Sequence, residues 1–169
     1  MAGIKKHHKK RNAVHGVLKR EVFMKNTFFK IWIHIVWSTK DREPLLINRI
    51  RKNVFFHIKE IASEKDYHLD MINGTNNHLH CLLSLDPKYA VSKVVNDLKG
   101  ESSHWINSQN LLKAKFAWQR GFGAFSVSES NVKKVRKYIL NQEKHHKMTS
   151  FKDEWELLLK KHGVVYETA

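Results

Sequence analysis

Two histidines stand one residue apart in the run His78-Leu79-His80-Cys81-Leu82-Leu83-Ser84-Leu85. On an extended chain the side chains alternate, so His78, His80, Leu82 and Ser84 share one face and Leu79, Cys81, Leu83 and Leu85 the other. Two imidazoles side by side on a strand can share one metal ion through their ring nitrogens. Further along, Val132-Lys133-Lys134-Val135-Arg136-Lys137-Tyr138-Ile139-Leu140-Asn141-Gln142 reads as a helix with Val132, Val135 and Ile139 as its apolar stripe. Tyr138 and Gln142 are one helical turn apart and flank that stripe, where a side chain can reach from the docked surface into a cleft. Lys133, Lys134, Arg136 and Lys137 crowd around them, cations of the kind that contact DNA phosphates. Each signal also has a plain reading. A chain with 12 histidines produces such pairs without function, and a border tyrosine is ordinary on an amphipathic helix.

These residues need elements to hold them. Phe29, Ile31, Ile33, Ile35 and Trp37 alternate with Lys30, Trp32, His34 and Val36, which predicts a first strand over Phe28–Trp37. Asp41–Pro44 is a turn. Ile47, Ile50, Val54, Phe55, Ile58, Ile61 and Ala62 recur at helical spacing, ending near Lys65. Tyr67–Ile72 reads as a short strand, Asn73-Gly74-Thr75-Asn76 as a turn and His78–Leu85 as a strand, together a hairpin. Val91, Val94, Val95, Leu98, Trp105 and Ile106 mark a second helix, with Gly100 as a weak spot. Phe116–Ser128 is β-like, bent or bulged at Gly121 and Gly123. Ser130 is placed to cap a helix over 131–146. Ser150 caps a last helix that stops at Gly163. The order β-α-β-β-α-β is the ferredoxin-like α+β plan, an antiparallel sheet shared with RNA recognition motifs, here with additional C-terminal helices. In this plan the first and third strands are neighbours. His34 then falls on the face of the His78–His80 pair.

The chain has 169 residues, of which 41% are apolar, which suits one domain with a packed core. Lys and Arg number 31 against 16 Asp and Glu, a net charge of +15 that points to a polyanionic partner. The lone Cys81 excludes an intrachain disulfide and a cysteine-based zinc site, and fits a reducing cytoplasm. No apolar run reaches the roughly 18 residues of a membrane span. Residues 1–23 are basic without an apolar segment, so they are not a secretory signal. They form either a basic N-terminal arm or a leader before Met24, with the domain proper over 24–169. Lys88, Lys93 and Lys99 are further cations that either contact DNA or are simply solvated. His145 and His146 lie two turns beyond Tyr138, at a solvated helix end or on a phosphate. Trp32, Trp105, Trp118 and Trp155 read as core.

The pair His78-Leu79-His80 resembles the His-hydrophobic-His signature of HUH nucleases, and Tyr138-x-x-x-Gln142 resembles the helix motif of their single-tyrosine transposases. Trp118–Ser128 is similar to the segment that precedes that helix. The likeness covers Phe28 to Tyr166 and is nearest to insertion-sequence transposases and REP-associated tyrosine transposases. It implies a metal-dependent enzyme that nicks and rejoins hairpin-bearing single-stranded DNA. Tyr138 is then the nucleophile, forming a 5′-phosphotyrosine and releasing a 3′-OH. His78, His80 and Gln142 hold Mg²⁺ or Mn²⁺ at the scissile phosphate. It also implies a homodimer in which one chain's tyrosine helix can serve the other's histidines. The family signature often has Asp before the first histidine. Asn77 stands there, which bears on the orientation of the histidine and removes no ligand. A domesticated REP-associated relative is the alternative within the family. Outside it stand a non-catalytic nucleic-acid-binding domain, disfavoured by His78 and His80 where such a sheet carries stacking aromatics, and a small structural metal domain, disfavoured by the charge.

Overall fold

The computed structural model describes residues 28–165; the basic block at 1–23 lies outside the described residues. In chain order the described elements are β1 (Trp32–Ser38), α1 (Asn48–Glu64), β2 (His68–Gly74), β3 (His78–Ser84), α2 (Val91–Ser108), β4 (Gly123–Val127), α3 (Val132–Leu140), α4 (Gln142–His145) and α5 (Phe151–Lys161). The strands form one sheet in the order β2-β3-β1-β4, antiparallel throughout. This is the split βαβ arrangement, with β1 and β3 side by side at its centre.

Strand alternation divides the core as the side-chain period demands. Ile35, Trp37, Leu79, Cys81 and Leu83 pack against Val54, Ile58 and Ile61 of α1 and Val94, Val95 and Leu98 of α2. The opposite face is covered as well. Val132 and Ile139 of α3 close over Trp32 and Leu82, while Leu158 and Leu159 of α5 close over Val36 and Phe125. Burying Leu158 and Leu159 stabilises the docking of α5 by roughly 1.5–3 kcal/mol each. Residues of β1 and β3 that face away from α1 and α2 are therefore buried between sheet and C-terminal helices, which is where His34, His78 and His80 lie.

Several boundaries differ from the sequence expectation. The first strand begins at Trp32 rather than Phe28, whose ring is 96% exposed. The second extends to Gly74, where a Cβ would lie 2.2 Å from the His78 carbonyl oxygen; only glycine permits that approach. Within Phe116–Ser128 only Gly123–Val127 is strand, Trp118 making a single bridge to Thr39. Gly121 takes a left-handed φ of +76°, and Gly123 lies under the Trp155 ring, 2.7 Å from where a Cβ would be. Ser130 is not the helix cap. It lies in the 3-10 turn Glu129–Asn131, and Asn131 precedes α3. The helix expected over 131–146 breaks at Asn141 into α3 and α4. The cause is a cap from another element: the Asn73 side-chain amide of β2 donates to the Ile139 and Leu140 carbonyls, each at 3.0 Å, and so satisfies groups that a helix end leaves open. The last helix follows expectation, with Ser150 Oγ accepting from the Asp153 amide at 3.2 Å and Gly163 at φ +66° as its stop.

Candidate active site

His78 and His80 sit on β3 opposite Ser38 and Val36 of β1, and both are fully buried. Each ring is oriented by its other nitrogen. His78 Nδ1 lies 2.7 Å from Asn77 Oδ1, an acceptor, so the ring carries its proton on Nδ1 and presents Nε2 as a lone pair. Asn77 thus does for His78 what an aspartate there would do. His80 Nδ1 lies 3.0 Å from His34 Nε2, and the two rings stack at 5.2 Å. His34 is on the expected face, but it supports His80 rather than reaching the centre.

α3 and α4 bring Tyr138 and Gln142 to the same place. The turn at Asn141 lets Gln142 be fully buried while Tyr138 stays half-buried. Both donate to one carboxylate oxygen: Gln142 Nε2 to Glu154 Oε1 at 3.0 Å, and the Tyr138 hydroxyl to the same atom. The other oxygen of Glu154, Oε2, lies 3.4 Å from His78 Nε2, 3.4 Å from His80 Nε2 and 2.9 Å from His146 Nε2. Glu154 comes from the first turn of α5 and is 1% exposed. Sequence reasoning missed it, because an acid in a helix's first turn reads as an ordinary partner of the helix dipole. The five residues it joins lie 8 to 76 positions away, beyond any local spacing rule.

Burial sets the electrostatics. It lowers His78 to about 4, the pull of Glu154 opposing it only in part. It lowers His34 to about 3, with His80 adding to the effect, and His80 moves in the same direction. These imidazoles are neutral at pH 7, as metal ligands must be. Burial on its own would raise the Glu154 carboxyl; the close-packed imidazoles of His146, His78 and His80 outweigh it and hold the group well below the usual carboxylate range. Burial, then the adjacent Glu154 charge, pushes the Tyr138 hydroxyl well above the usual tyrosine range.

The residues fit a metal ion. His78 Nε2, His80 Nε2 and Gln142 Oε1 are buried without a hydrogen-bond partner, and unpaired buried acceptors are costly unless something positive meets them. Two imidazoles and an amide oxygen make a donor set for a divalent ion with positions left open.

The remaining candidates are distributed as follows. Lys133, Lys134 and Lys137 are exposed on α3. Lys134 and Lys137 border an open surface beside Tyr138 together with Lys144. Arg136 is held by Asp70 in a two-pronged ion pair, both contacts 2.7 Å, above the Trp32 ring. Lys93 pairs with Asp97 at 2.6 Å, Lys88 lies 3.5 Å from Asp86, and Lys99 donates to the carbonyls of Gln119 and Gly121 at 2.7 Å. His145 stacks edge-on to Tyr138, ring centres 5.5 Å apart. Trp32 and Trp118 are buried, and Trp105 and Trp155 are half-buried against the core. A pocket of ≈ 200 Å³ between α3 and α5 opens onto Tyr138, lined among others by His34, Val127, Lys134 and Lys161.

The fold has relatives among solved structures. A Deinococcus radiodurans crystal structure superposes with a TM-score of 0.57 at 24% identity, covering 69% of this chain and 94% of that one. A REP-associated tyrosine transposase superposes with a TM-score of 0.55 at 15% identity, covering 71% of each chain. In sequence, the chain is 30% identical over 120 residues to the transposase for insertion sequence element IS200 of Salmonella typhimurium, 68% of this chain and 78% of that one. It is 25% identical over 119 residues to the ISDra2 transposase TnpA of Deinococcus radiodurans, 68% of this chain and 85% of that one. The family described as "Transposase IS200 like" matches residues 27–142, which span the whole sheet, the His78–His80 pair and the helix from Tyr138 to Gln142. With a buried histidine pair and a tyrosine meeting at one carboxylate, the chain belongs to the IS200-like transposases, the single-tyrosine branch of the HUH enzymes.

Proposed function

We propose that this chain cuts and rejoins single-stranded DNA bearing hairpins, with Tyr138 as nucleophile and His78, His80 and Gln142 as ligands of Mg²⁺ or Mn²⁺. The observation that carries the reading is the meeting of groups within one chain: the Tyr138 hydroxyl bonds Glu154, and the same carboxylate lies 3.4 Å from Nε2 of both His78 and His80. The structural relative described as a REP-associated tyrosine transposase is bound to a REP hairpin, which supports DNA of that shape as the substrate.

In the reaction the Tyr138 oxygen attacks phosphorus as its proton passes to the Glu154 carboxylate that accepts its hydrogen bond. The bond from phosphorus to the 3′-oxygen of the preceding nucleotide breaks, and that oxygen takes a proton from water to leave as a 3′-OH. A 5′-phosphotyrosine conserves the bond energy, so a second 3′-OH can reverse the step at a new junction without ATP. A bound divalent ion would polarise the scissile phosphate and stabilise its developing charge. The chain's own part is to keep Tyr138 aimed through Glu154 and to keep His78 and His80 neutral by burial. Lys133, Lys134 and Lys137 offer exposed cations for the DNA backbone, and Arg136 adds to that face through the edge its ion pair leaves open. Tyr138 meets its own chain's Glu154 beside the histidines, which supports a site formed in cis, whereas the resemblance to the family implies a homodimer in which one chain's tyrosine helix can serve the other's histidines. Buried, unpaired Cys81 suits action in the cytoplasm.

The reading is tested by labelling a hairpin single strand at either end and incubating it with the chain and Mn²⁺. Label on the fragment 3′ of the cut is expected to migrate with protein on a denaturing gel, and label on the 5′ fragment to run free with a 3′-OH. Both fragments running free would exclude a phosphotyrosine intermediate.

A further inference from the structure

The expected ligand set is His78, His80 and Gln142, yet two further donors crowd the same point. One ring nitrogen each of His78, His80 and His146 and a carboxylate oxygen of Glu154 lie within 4.8 Å of one another. Their protons are already committed elsewhere. His146 Nδ1 donates to the Thr149 carbonyl at 2.8 Å, and His78 Nδ1 to Asn77 Oδ1, so in the neutral rings both Nε2 atoms are lone pairs. His80 joins them when its Nδ1 donates to His34. Lone pairs directed at a carboxylate oxygen 2.9–3.4 Å away repel unless positive charge lies between them. One added proton on His146 would satisfy that contact and leave His78 and His80 unpartnered. One divalent cation satisfies all of them. The spacing suits it, since adjacent ligands around an octahedral ion with bonds near 2.1 Å stand about 3 Å apart.

We propose that His146 and Glu154 are metal ligands as well, so that this chain holds its ion with three imidazoles, a carboxylate and the Gln142 amide oxygen. The proposal rests on the metal-site reading above and changes its chemistry. Three nitrogen donors favour a transition ion, so Mn²⁺ binds in preference to Mg²⁺, which takes oxygen ligands and keeps its waters. Two of the five ligands, His146 and Glu154, come from the segment after Gln142, beyond the stretch that matches the family. Completing the site therefore depends on the docking of α5. Glu154 also becomes the link between ion and nucleophile, one oxygen toward the ion and the other holding Tyr138 and Gln142.

The test is Mn²⁺ and Mg²⁺ binding to the metal-free full chain, by calorimetry and by the electron paramagnetic resonance of Mn²⁺, without DNA. Glu154→Gln keeps the shape and removes the charge. It should weaken Mn²⁺ binding at least about tenfold, the lower end for losing even an outer-shell group of a metal site, and His146→Asn should narrow the preference for Mn²⁺ over Mg²⁺. Mn²⁺ binding as tight as wild type, or tighter, in a folded Glu154→Gln chain would overturn the proposal. If circular dichroism shows that Glu154→Gln does not fold, His146→Asn decides by the same criterion. His78→Ala separates the two levels: unchanged Mn²⁺ binding there removes the metal site itself, whereas loss there with none in Glu154→Gln or His146→Asn removes only the added ligands.

Discussion

At the scale of single residues, the site works through groups that hold other groups. His34 supports the site through His80, whose Nδ1 it meets at 3.0 Å. Removing such a support commonly costs 10–100-fold in metal affinity, so His34→Ala should weaken Mn²⁺ binding by about that factor in a chain that still folds, as calorimetry can show. The same burial creates a pH dependence in the metal-free chain. His78, ordinarily 6.5, is lowered to about 4, and His34 to about 3. The unfolded chain therefore binds more protons than the folded one below pH 6.5, so stability is complete above that value and is lost as pH falls toward 4 and 3. Glu154, held low, acts in the same direction. Denaturant titrations should show a loss of roughly 2 kcal/mol per buried histidine by about pH 5, and a smaller loss in His34→Gln. A flat profile from pH 7 to 5 would mean that these histidines are not buried as neutral rings.

At the scale of elements, the C-terminal helices decide whether the strand histidines become a site. Gly123 lets α5 approach β4, because a Cβ there would lie 2.7 Å from the Trp155 ring. Gly123→Ala should push α5 outward, cost about 1–3 kcal/mol by overpacking, and lower Mn²⁺ affinity although position 123 touches no ligand. Asn73→Ala should leave the carbonyls of Ile139 and Leu140 open and cost about 1–2 kcal/mol; it should also reduce cleavage, since the turn it caps aims Gln142. Strand assignment was legible in the sequence where one period dominates. Ile33, Ile35 and Trp37 against His34 and Val36 fix which face His34 occupies, and Leu79, Cys81 and Leu83 do the same for the histidine pair. The helix break at Asn141 was not legible, because its cap comes from Asn73, 66 positions away from Ile139. Glu154 was hidden for a similar reason. Its local context, three residues after a loop and close to Ser150, explains it fully as a helix start, and only the docked helix shows the ring of histidines around it.

At the scale of the whole molecule, charge governs DNA binding. With a net charge of +15, affinity for single strands should fall with salt at a logarithmic slope of about −0.7 per phosphate contacted. Replacing Lys133, Lys134 and Lys137 together by Ala should reduce that slope by up to about 2 while leaving metal binding intact, measurable by fluorescence anisotropy over a salt series. An unchanged slope would place the DNA on another face. The cis arrangement has its own check: mixing Tyr138→Phe with His80→Ala chains should restore no cleavage, because neither chain carries a complete site. The most direct measurement of the central claim is the covalent adduct itself. Wild-type chain and a hairpin-bearing single strand with Mn²⁺ should give a protein–DNA band that survives denaturant, and Tyr138→Phe, which loses only the hydroxyl, should bind the same DNA and give none. A denaturant-stable adduct formed by Tyr138→Phe would contradict the account.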